Sequence, residues 1–293
     1  MAELVGVYAA SHGPMIVRNW GKLTSVEKDS LGSGFSELGK RMRAARPDAL
    51  IVISPDHWVN FFIDNLPAIC VGVGEVHDGP PEPWLTEFPH RSLRGHPALA
   101  GHIVRYAHDH DFEPSVSYRL ALDHGFCIPL WKAGVDPLPP IVPVVFNDLE
   151  PPYPSVKRCF DWGTMLAEAV ASYPGNLRVA ILATGGLSHS IGEPTMGRID
   201  EAFDRDCILR FERGDPRALI DFLNERLPGA GNGAAEVRNW VAAHGAARGR
   251  GFELIRYDPI PDVYVGCGFA SWNINPKARR KAEGGRRKEK TIR

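Results

Sequence analysis

The sequence predicts an α/β fold: a single domain in which helices flank a central mixed or largely parallel sheet. Several short runs rich in Val, Ile or Leu, bounded by Pro, Gly, Asp or Ser, are typical of buried strands. Between them lie segments with apolar spacing of about 3.6 residues, which is typical of helices. The strand segments are continuously apolar rather than alternating, so both faces of the sheet should be covered by helices.

The strands are predicted at residues 4–9, 49–53, 68–73, 141–146, 179–183 and 252–257, with a further short one at 263–265. The helices are predicted at residues 34–45, 96–108, 156–173, 198–213, 216–227 and 234–244. The glycine-rich stretch 228–233 is predicted to be a loop that leads into the last helix. No internal repeat and no boundary between two domains is evident, so residues 1–276 are predicted to form one catalytic domain.

Residues 277–293 differ in charge from the rest of the chain. They contain nine Lys and Arg and two Glu, with almost no apolar side chains, which predicts a basic disordered tail. A nonspecific contact with an anionic surface is the alternative for this tail. Because the formal net charge of the whole chain is −1, the other 276 residues carry about −8. An acidic body of this kind argues against a nucleic-acid-binding protein.

The remaining composition indicates a cytoplasmic protein. The five cysteines are odd in number and include no Cys-x-x-Cys pair, which argues against a disulfide scaffold or a thiolate zinc site. The N-terminus has no basic segment followed by a long apolar one, so no signal peptide is predicted. No apolar run approaches the ~20 residues of a membrane span.

Four histidines share one kind of context. His12, His57 and His189 each follow a predicted strand, in Ser-His-Gly-Pro, Ser-Pro-Asp-His-Trp and Gly-Gly-Leu-Ser-His, and His124 occurs in Leu-Asp-His-Gly. A single histidine after a strand is more often a hydrogen-bonded loop residue than a ligand. However, ligands of open α/β sheets bind beyond the carboxyl ends of the strands, where three separate strands can bring histidines to one point.

A metal centre is the chemistry that such a cluster suggests. Two histidines and one carboxylate, with open positions opposite, are typical of non-haem Fe(II) oxygenases. Glu236, next to the glycine-rich stretch, is the candidate carboxylate, although a glutamate at a helix start is also explained by the helix dipole. Asp56, Asp123 and Glu193 remain as rival ligands.

Together with the region around Glu236 that contains Arg-Asn-Trp at 238–240, these motifs resemble the class III extradiol dioxygenases. This is the group of protocatechuate 4,5-dioxygenase catalytic β-subunits and their relatives. The resemblance extends from residue 11 to about residue 240, and five motifs in the same order make it specific. It implies an α/β fold and an Fe(II)-dependent oxidoreductase that opens a catecholic ring with O2, on a substrate such as protocatechuate or gallate.

The resemblance also assigns roles. It implies that His12, His57 and Glu236 ligate Fe(II), that His189 is the acid/base residue over the substrate, and that His124 is a second acid/base or substrate-binding histidine. A homo-oligomer is expected. Relatives of the protocatechuate enzyme need a small accessory subunit, and nothing in this chain resembles it, so the chain acts alone or with a separate partner.

Three alternatives stay open from the sequence. The enzyme could cleave 2-aminophenols; the same residues could hold zinc in a hydrolase or lyase; or the scaffold could serve binding without catalysis. The substrate also stays open. Arg18, Lys22 and Arg238 are chemically suited to hold a substrate carboxylate, and aromatic side chains after His57 are candidates for a pocket wall, namely Trp58, Phe61 and Phe62.

Overall fold

The structure is a computed structural model of the chain, and it describes residues 1–274. The predicted basic tail at 277–293, and its boundary with the catalytic domain, lie outside the described residues. Within residues 1–274, no helix is both long and apolar enough to span a membrane.

Ten strands form the sheets in the described part of the chain. The long central strands have the positions that the apolar runs predict, with ends shifted by one or two residues. In chain order the strands are β1 (Glu3–Ala10), β2 (Ala49–Ser54), β3 (Ile69–Gly72), β4 (Val76–Gly79), β5 (Arg91–Arg94), β6 (Ser115–Ser117), β7 (Ile141–Phe146), β8 (Arg178–Thr184), β9 (Phe252–Ile260) and β10 (Val265–Trp272).

Eight α-helices are described. Two of them, α1 and α4, were not predicted, and α2 begins nine residues before its predicted start because Thr24 forms a capping box with Glu27. The helices are α1 (Met15–Arg18), α2 (Ser25–Ala45), α3 (Pro97–His108), α4 (His124–Lys132), α5 (Val156–Ser172), α6 (Glu201–Arg213), α7 (Pro216–Arg226) and α8 (Val237–Ala246).

Eight strands form one mixed sheet in the order β6-β3-β7-β2-β8-β1-β10-β9, and β4 and β5 form a separate hairpin. The four central strands, β7, β2, β8 and β1, are mutually parallel. Antiparallel pairing begins on both sides, between β3 and β7 and between β10 and β1. The predicted α/β fold with a mixed, largely parallel sheet is therefore confirmed.

Helices cover both faces of the sheet, as the continuously apolar strands predicted. Along β2, Ile51 and Ile53 point into one core, together with buried residues of α3, α5, α6, α7 and α8. Leu50 and Val52 point into the second core, which α2 and α4 cover. This double burial rigidly fixes the carboxyl ends of the parallel strands, which is where the candidate site lies.

Two predictions for the C-terminal part are corrected. The strand predicted at 263–265 is instead β10, which begins at Val265 and continues to Trp272, while Pro261–Val263 forms a 3₁₀ turn. The helix predicted at 234–244 begins at Val237, after a 3₁₀ turn over Asn232–Glu236. The sequence of β10 is rich in Gly, Ala and Ser, so it lacks the apolar signal that marks the other strands.

Candidate metal centre

Three neighbouring parallel strands deliver the predicted histidines to one edge of the sheet. His12 follows β1, His57 follows β2 and His189 follows β8, and β8 pairs with both β1 and β2. His124 reaches the same place as the first residue of α4. The structure therefore brings all four histidines together, although they are up to 177 residues apart in the chain.

Glu236 lies at the centre of the cluster. Its Oε1 is 3.4 Å from Nε2 of His12, 3.5 Å from Nε2 of His57 and 3.7 Å from Nε2 of His189. The ring of His124 lies beside that of His57, with centroids 4.0 Å apart. Three imidazoles from separate parts of the chain thus surround one carboxylate oxygen, and a fourth lies next to one of them.

Hydrogen bonds orient the two histidines that are nearest to Glu236. Asp123 accepts from His57 through Oδ2, both from Nδ1 at 3.0 Å and from the backbone N–H at 2.6 Å. His12 contacts the hydroxyl of Thr184, the last residue of β8, through Nδ1 at 3.1 Å. In both rings Nδ1 is engaged, so Nε2 is left facing the carboxylate. Metal-ligating histidines are typically held by such a bond on the other ring nitrogen.

The other two histidines are oriented by different acceptors. Nδ1 of His124 is 2.7 Å from Oε1 of Glu82, which also accepts the backbone N–H of His124. Nδ1 of His189 is 2.9 Å from the carbonyl oxygen of Leu187. Since a carboxylate and a carbonyl only accept, Nδ1 carries the proton in both rings, and Nε2 is the free nitrogen of the neutral imidazole.

The backbone at Gly185 and Gly186 lies close against the carboxylate of Glu236. The Oε2 atom of Glu236 accepts the backbone N–H of Gly186 at 2.7 Å. Gly185, directly before it, has φ of +102°, and a Cβ atom there would lie 2.6 Å from the same carboxylate oxygen. Only glycine fits this position, because both the backbone angle and the space exclude a side chain.

Charge interactions set the protonation of the cluster. Burial disfavours the charged form of His57, but the carboxylates of Asp123 and Glu236 outweigh burial and raise its pKa to about 10. Burial likewise opposes ionisation of Glu236, yet the imidazoles of His12 and His189 hold its pKa well below its usual range. For His189 burial prevails and lowers the pKa, and burial and the charge of His57 do the same for His124.

The donor set fits a divalent transition metal. The carboxylate of Glu236 and the free Nε2 atoms of His12 and His57 point to one place, and the ligand atoms of His12, His57 and His124 lie within 4.8 Å of one another. A charged carboxylate among imidazoles that each have one unengaged nitrogen is suited to nitrogen-preferring metals such as Fe or Zn.

The rival carboxylates have other positions. Asp123 contacts His57 but lies behind its ring, on Nδ1. Asp56 accepts the backbone N–H groups of Val59, Asn60 and Phe61, so it shapes the loop after His57. Of these two aspartates, Asp123 therefore orients a histidine of the cluster, whereas Asp56 orients the loop that follows it. Glu193 lines a separate cavity of about 440 Å³, together with Arg198 and Arg238.

Sequence reasoning missed four residues of this site. Thr184 and Glu82 hold histidines, and the ring of Trp84 lies 5.5 Å from that of His124. Asp148 follows β7 at the same sheet edge; its oxygens have no hydrogen-bond partner among the described residues, and burial raises its pKa to about 8. Asp148 follows a strand just as the histidines do, so this signal was available, whereas Glu82 and Trp84 lie in a Pro-rich segment that carries no comparable signal.

Comparison with known proteins assigns the class of this site. Residues 6–268 match the family described as the catalytic LigB subunit of aromatic ring-opening dioxygenase, so the chain belongs to this family. It is thus a metal-dependent extradiol ring-cleavage dioxygenase, an oxidoreductase of aromatic catabolism. The predicted resemblance is confirmed.

Named relatives agree with this membership. The chain is 28% identical over 278 residues to a 2,3-dihydroxyphenylpropionate/2,3-dihydroxicinnamic acid 1,2-dioxygenase of Paraburkholderia phymatum, covering 78% of this chain and 85% of the relative. It is 26% identical to the Escherichia coli protein of the same name, covering 90% and 97%. An uncharacterized protein of Escherichia coli K12 has a similar fold, with a TM-score of 0.61 at 17% identity, over 91% of this chain and 100% of that one.

Proposed function

We propose that this chain is an Fe(II)-dependent extradiol dioxygenase acting on a catechol that bears an acidic side chain. The observation that carries the proposal is the convergence of three Nε2 atoms on Oε1 of Glu236, all within 3.7 Å. Protocatechuate and gallate are candidate substrates. The names of the relatives add 2,3-dihydroxyphenylpropionate, whose catechol ring carries a three-carbon acid.

The metal ligands in this proposal are His12, His57 and Glu236. They come from the ends of β1 and β2 and from the turn before α8, so rigid elements support all three. When bound, Fe(II) would supply a Lewis-acidic position where the catechol oxygens and O2 meet. The protein determines which face is open, because Thr184, Asp123 and Gly186 hold the ligands from behind.

His189 is proposed to be the general base for the substrate. Its Nδ1 donates to Leu187, so Nε2 is unprotonated in the neutral ring and faces Glu236 from 3.7 Å. Burial lowers its pKa, which favours the neutral form at pH 7. His189 can therefore accept a proton from a catechol hydroxyl as the substrate binds, and return it to an oxygen of the opening ring.

His124 is proposed to be the second acid/base residue. The hydrogen bond to Glu82 fixes its tautomer and directs Nε2 away from that carboxylate. Its ring lies 4.0 Å from that of His57 and 5.7 Å from that of His12, so it borders the substrate side of both proposed ligands. Two imidazoles with lowered pKa values, those of His189 and His124, allow one proton to be taken and another to be given.

A substrate panel tests the proposal. Protein purified without oxygen is loaded with Fe(II) or Zn(II), and oxygen uptake and product absorbance are followed with catechol, protocatechuate, gallate, 2,3-dihydroxyphenylpropionate and 2-aminophenol. We expect uptake with Fe(II) only, and the highest kcat/KM for a catechol acid. The highest kcat/KM for 2-aminophenol would identify an aminophenol-cleaving enzyme instead. No uptake with any substrate would refute the proposal.

A further inference from the structure

The cluster is least buried at His57 and His124. The side chains of His12, Glu236 and His189 are 3–5% exposed to solvent, whereas those of His57 and His124 are 13% and 8% exposed. A substrate therefore reaches the cluster past His57 and His124. Whatever borders these two rings on their solvent side will contact the substituents of a bound catechol.

An aromatic ring and a cation border this opening. The half-buried indole of Trp84 lies beside His124, with ring centroids 5.5 Å apart. The guanidinium carbon of Arg18 lies over the indole, 5.5 Å from its centroid. Arg18 is the last residue of α1, the short helix that begins three residues after His12. The chain segment that carries His12 therefore also positions this cation.

Arg18 has no anionic partner in the described part of the chain. Its side chain is exposed, and among residues 1–274 this side chain interacts with Trp84 alone. An arginine that is stacked on an aromatic face keeps its planar hydrogen-bond donors available for a carboxylate. Trp84 therefore orients the guanidinium of Arg18, and no acidic side chain of the described residues neutralises its charge.

The other basic residues that the sequence suggested are less suitable. Arg238 already donates to the carbonyl oxygens of Pro154 and Ala235 and lies over Tyr153. Lys22 is exposed in the 3₁₀ turn after α1, and its side chain makes no contact with Trp84. Of the three candidates, Arg18 alone contacts a residue that touches a site histidine.

The distances match a substrate with a short acidic chain. Two steps of 5.5 Å connect the guanidinium carbon of Arg18 to the ring of His124, so they are at most about 11 Å apart. A three-carbon acid chain places its carboxylate roughly 5 Å from the centre of the catechol ring. A hydrogen-bonded guanidinium adds roughly 4 Å, so a ring beside His124 can reach Arg18.

We propose that Arg18, supported by Trp84, binds the carboxylate of the substrate and so determines the preference for catechols with an acidic side chain. This inference rests on the proposed function, because it concerns the substrate of the same site. The product carries the same side chain, and Arg18 takes no part in bond breaking. It is a specificity-determining residue, and its loss should change KM rather than kcat.

The test compares two substrates and three variants. KM and kcat of the Fe(II)-loaded enzyme are measured for 2,3-dihydroxyphenylpropionate and for uncharged 3-propylcatechol, with Arg18→Gln, Arg18→Lys and the nearby control Lys22→Gln. We expect Arg18→Gln to raise KM for the acid by about 10- to 100-fold. KM for 3-propylcatechol and both kcat values should stay within twofold. Arg18→Lys keeps the charge without the planar donors, so its KM for the acid should be intermediate.

Other results would overturn the assignment. If Arg18→Gln raises KM for both substrates equally, Arg18 supports the wall and not the carboxylate. If it changes neither KM, or if Lys22→Gln matches its effect, the carboxylate is bound elsewhere or by a diffuse positive field. If the unmodified enzyme cleaves neither substrate nor any other catechol, it is the proposed function that fails.

Discussion

Gly233 lies against the ring of the proposed base, so adding one methyl group there tests the position of His189. A Cβ atom at Gly233 would overlap Nε2 and Cδ2 of His189 and lie 2.7 Å from Cε1. The φ angle of Gly233 is not positive, so alanine can adopt its backbone conformation. The clash is with the end of a side chain, and the ring can therefore move while the backbone stays folded.

The displacement can be estimated from these contacts. Carbon atoms pack best at about 3.5–4.0 Å, so the ring of His189 must shift by at least about 1 Å. A shift of this size typically costs about 100-fold in rate. Weakening the hydrogen bond from Nδ1 to Leu187 would cost about 1 kcal/mol of stability. Replacing glycine by alanine stabilises the protein by about 0.4–1 kcal/mol, because it lowers the conformational entropy of the unfolded chain. We expect little change in the free energy of unfolding.

The assay is kcat for oxygen uptake with saturating catechol substrate, together with bound iron and Tm. Gly233→Ala should lose about 100-fold in kcat and keep its iron, because His189 is not a proposed ligand. Gly229→Ala is the matched control, since a Cβ atom at Gly229 would have no neighbour within 4 Å. If Gly233→Ala kept kcat within twofold of the unmodified enzyme, the assignment of His189 as the base would be refuted.

Three further predictions concern metal affinity and stability. Asp123→Asn should weaken Fe(II) binding by about 10- to 100-fold, because the amide cannot replace the charge behind His57; anaerobic competition with a chelator measures this. Because the carboxylates raise the pKa of His57 to about 10, Fe(II) must displace its proton, and the apparent Kd should fall about tenfold per pH unit from pH 6 to 8. His244 is buried and its pKa is lowered to about 4, so the folded protein binds fewer protons than the unfolded one between pH 6.5 and 4. Stability should therefore fall by about 3 kcal/mol as pH decreases through this range, and His244→Gln should flatten that dependence in urea titrations.

Each of these has a result that would contradict it. Asp64→Asn, an exposed acid on the loop after His57, serves as the control for Asp123→Asn and should leave Fe(II) affinity unchanged. Equal losses in the two variants would point to a general charge effect. A Kd that does not vary with pH would mean that the ligands are already deprotonated. An acid transition that is unchanged by His244→Gln would assign the acid sensitivity to other groups.

Much of the active-site edge was predictable because it depends on strand ends. The apolar runs located β1, β2 and β8, and parallel strands place their carboxyl ends together, so His12, His57 and His189 were expected to converge. Glu236 was not predictable in this way. It precedes α8 and reaches the cluster because residues 232–236 form a 3₁₀ turn beside Gly185 and Gly186. Its place beside the glycine-rich stretch made it a candidate, but the family resemblance was the main indication.

Residues that act through neighbours were also missed. Glu82 and Trp84 follow the hairpin strand β4 in a segment with three prolines, and no periodicity connects them to His124, which is about forty residues away. Their position depends on how the hairpin packs against the start of α4, which is a tertiary contact. The helix α4 itself was missed because Pro129 interrupts its helical pattern.

We propose that one iron ion held by His12, His57 and Glu236 carries out ring cleavage. The most direct measurement is a titration of metal-free protein with Fe(II) under argon, followed by initial rates of oxygen uptake with 2,3-dihydroxyphenylpropionate and with catechol. The rate should rise linearly to one equivalent of Fe(II) and then level off, and Glu236→Ala should show neither tight iron binding nor uptake. Full activity without added iron, or a Glu236→Ala variant that binds one equivalent and turns over normally, would show that this iron site does not carry out the reaction.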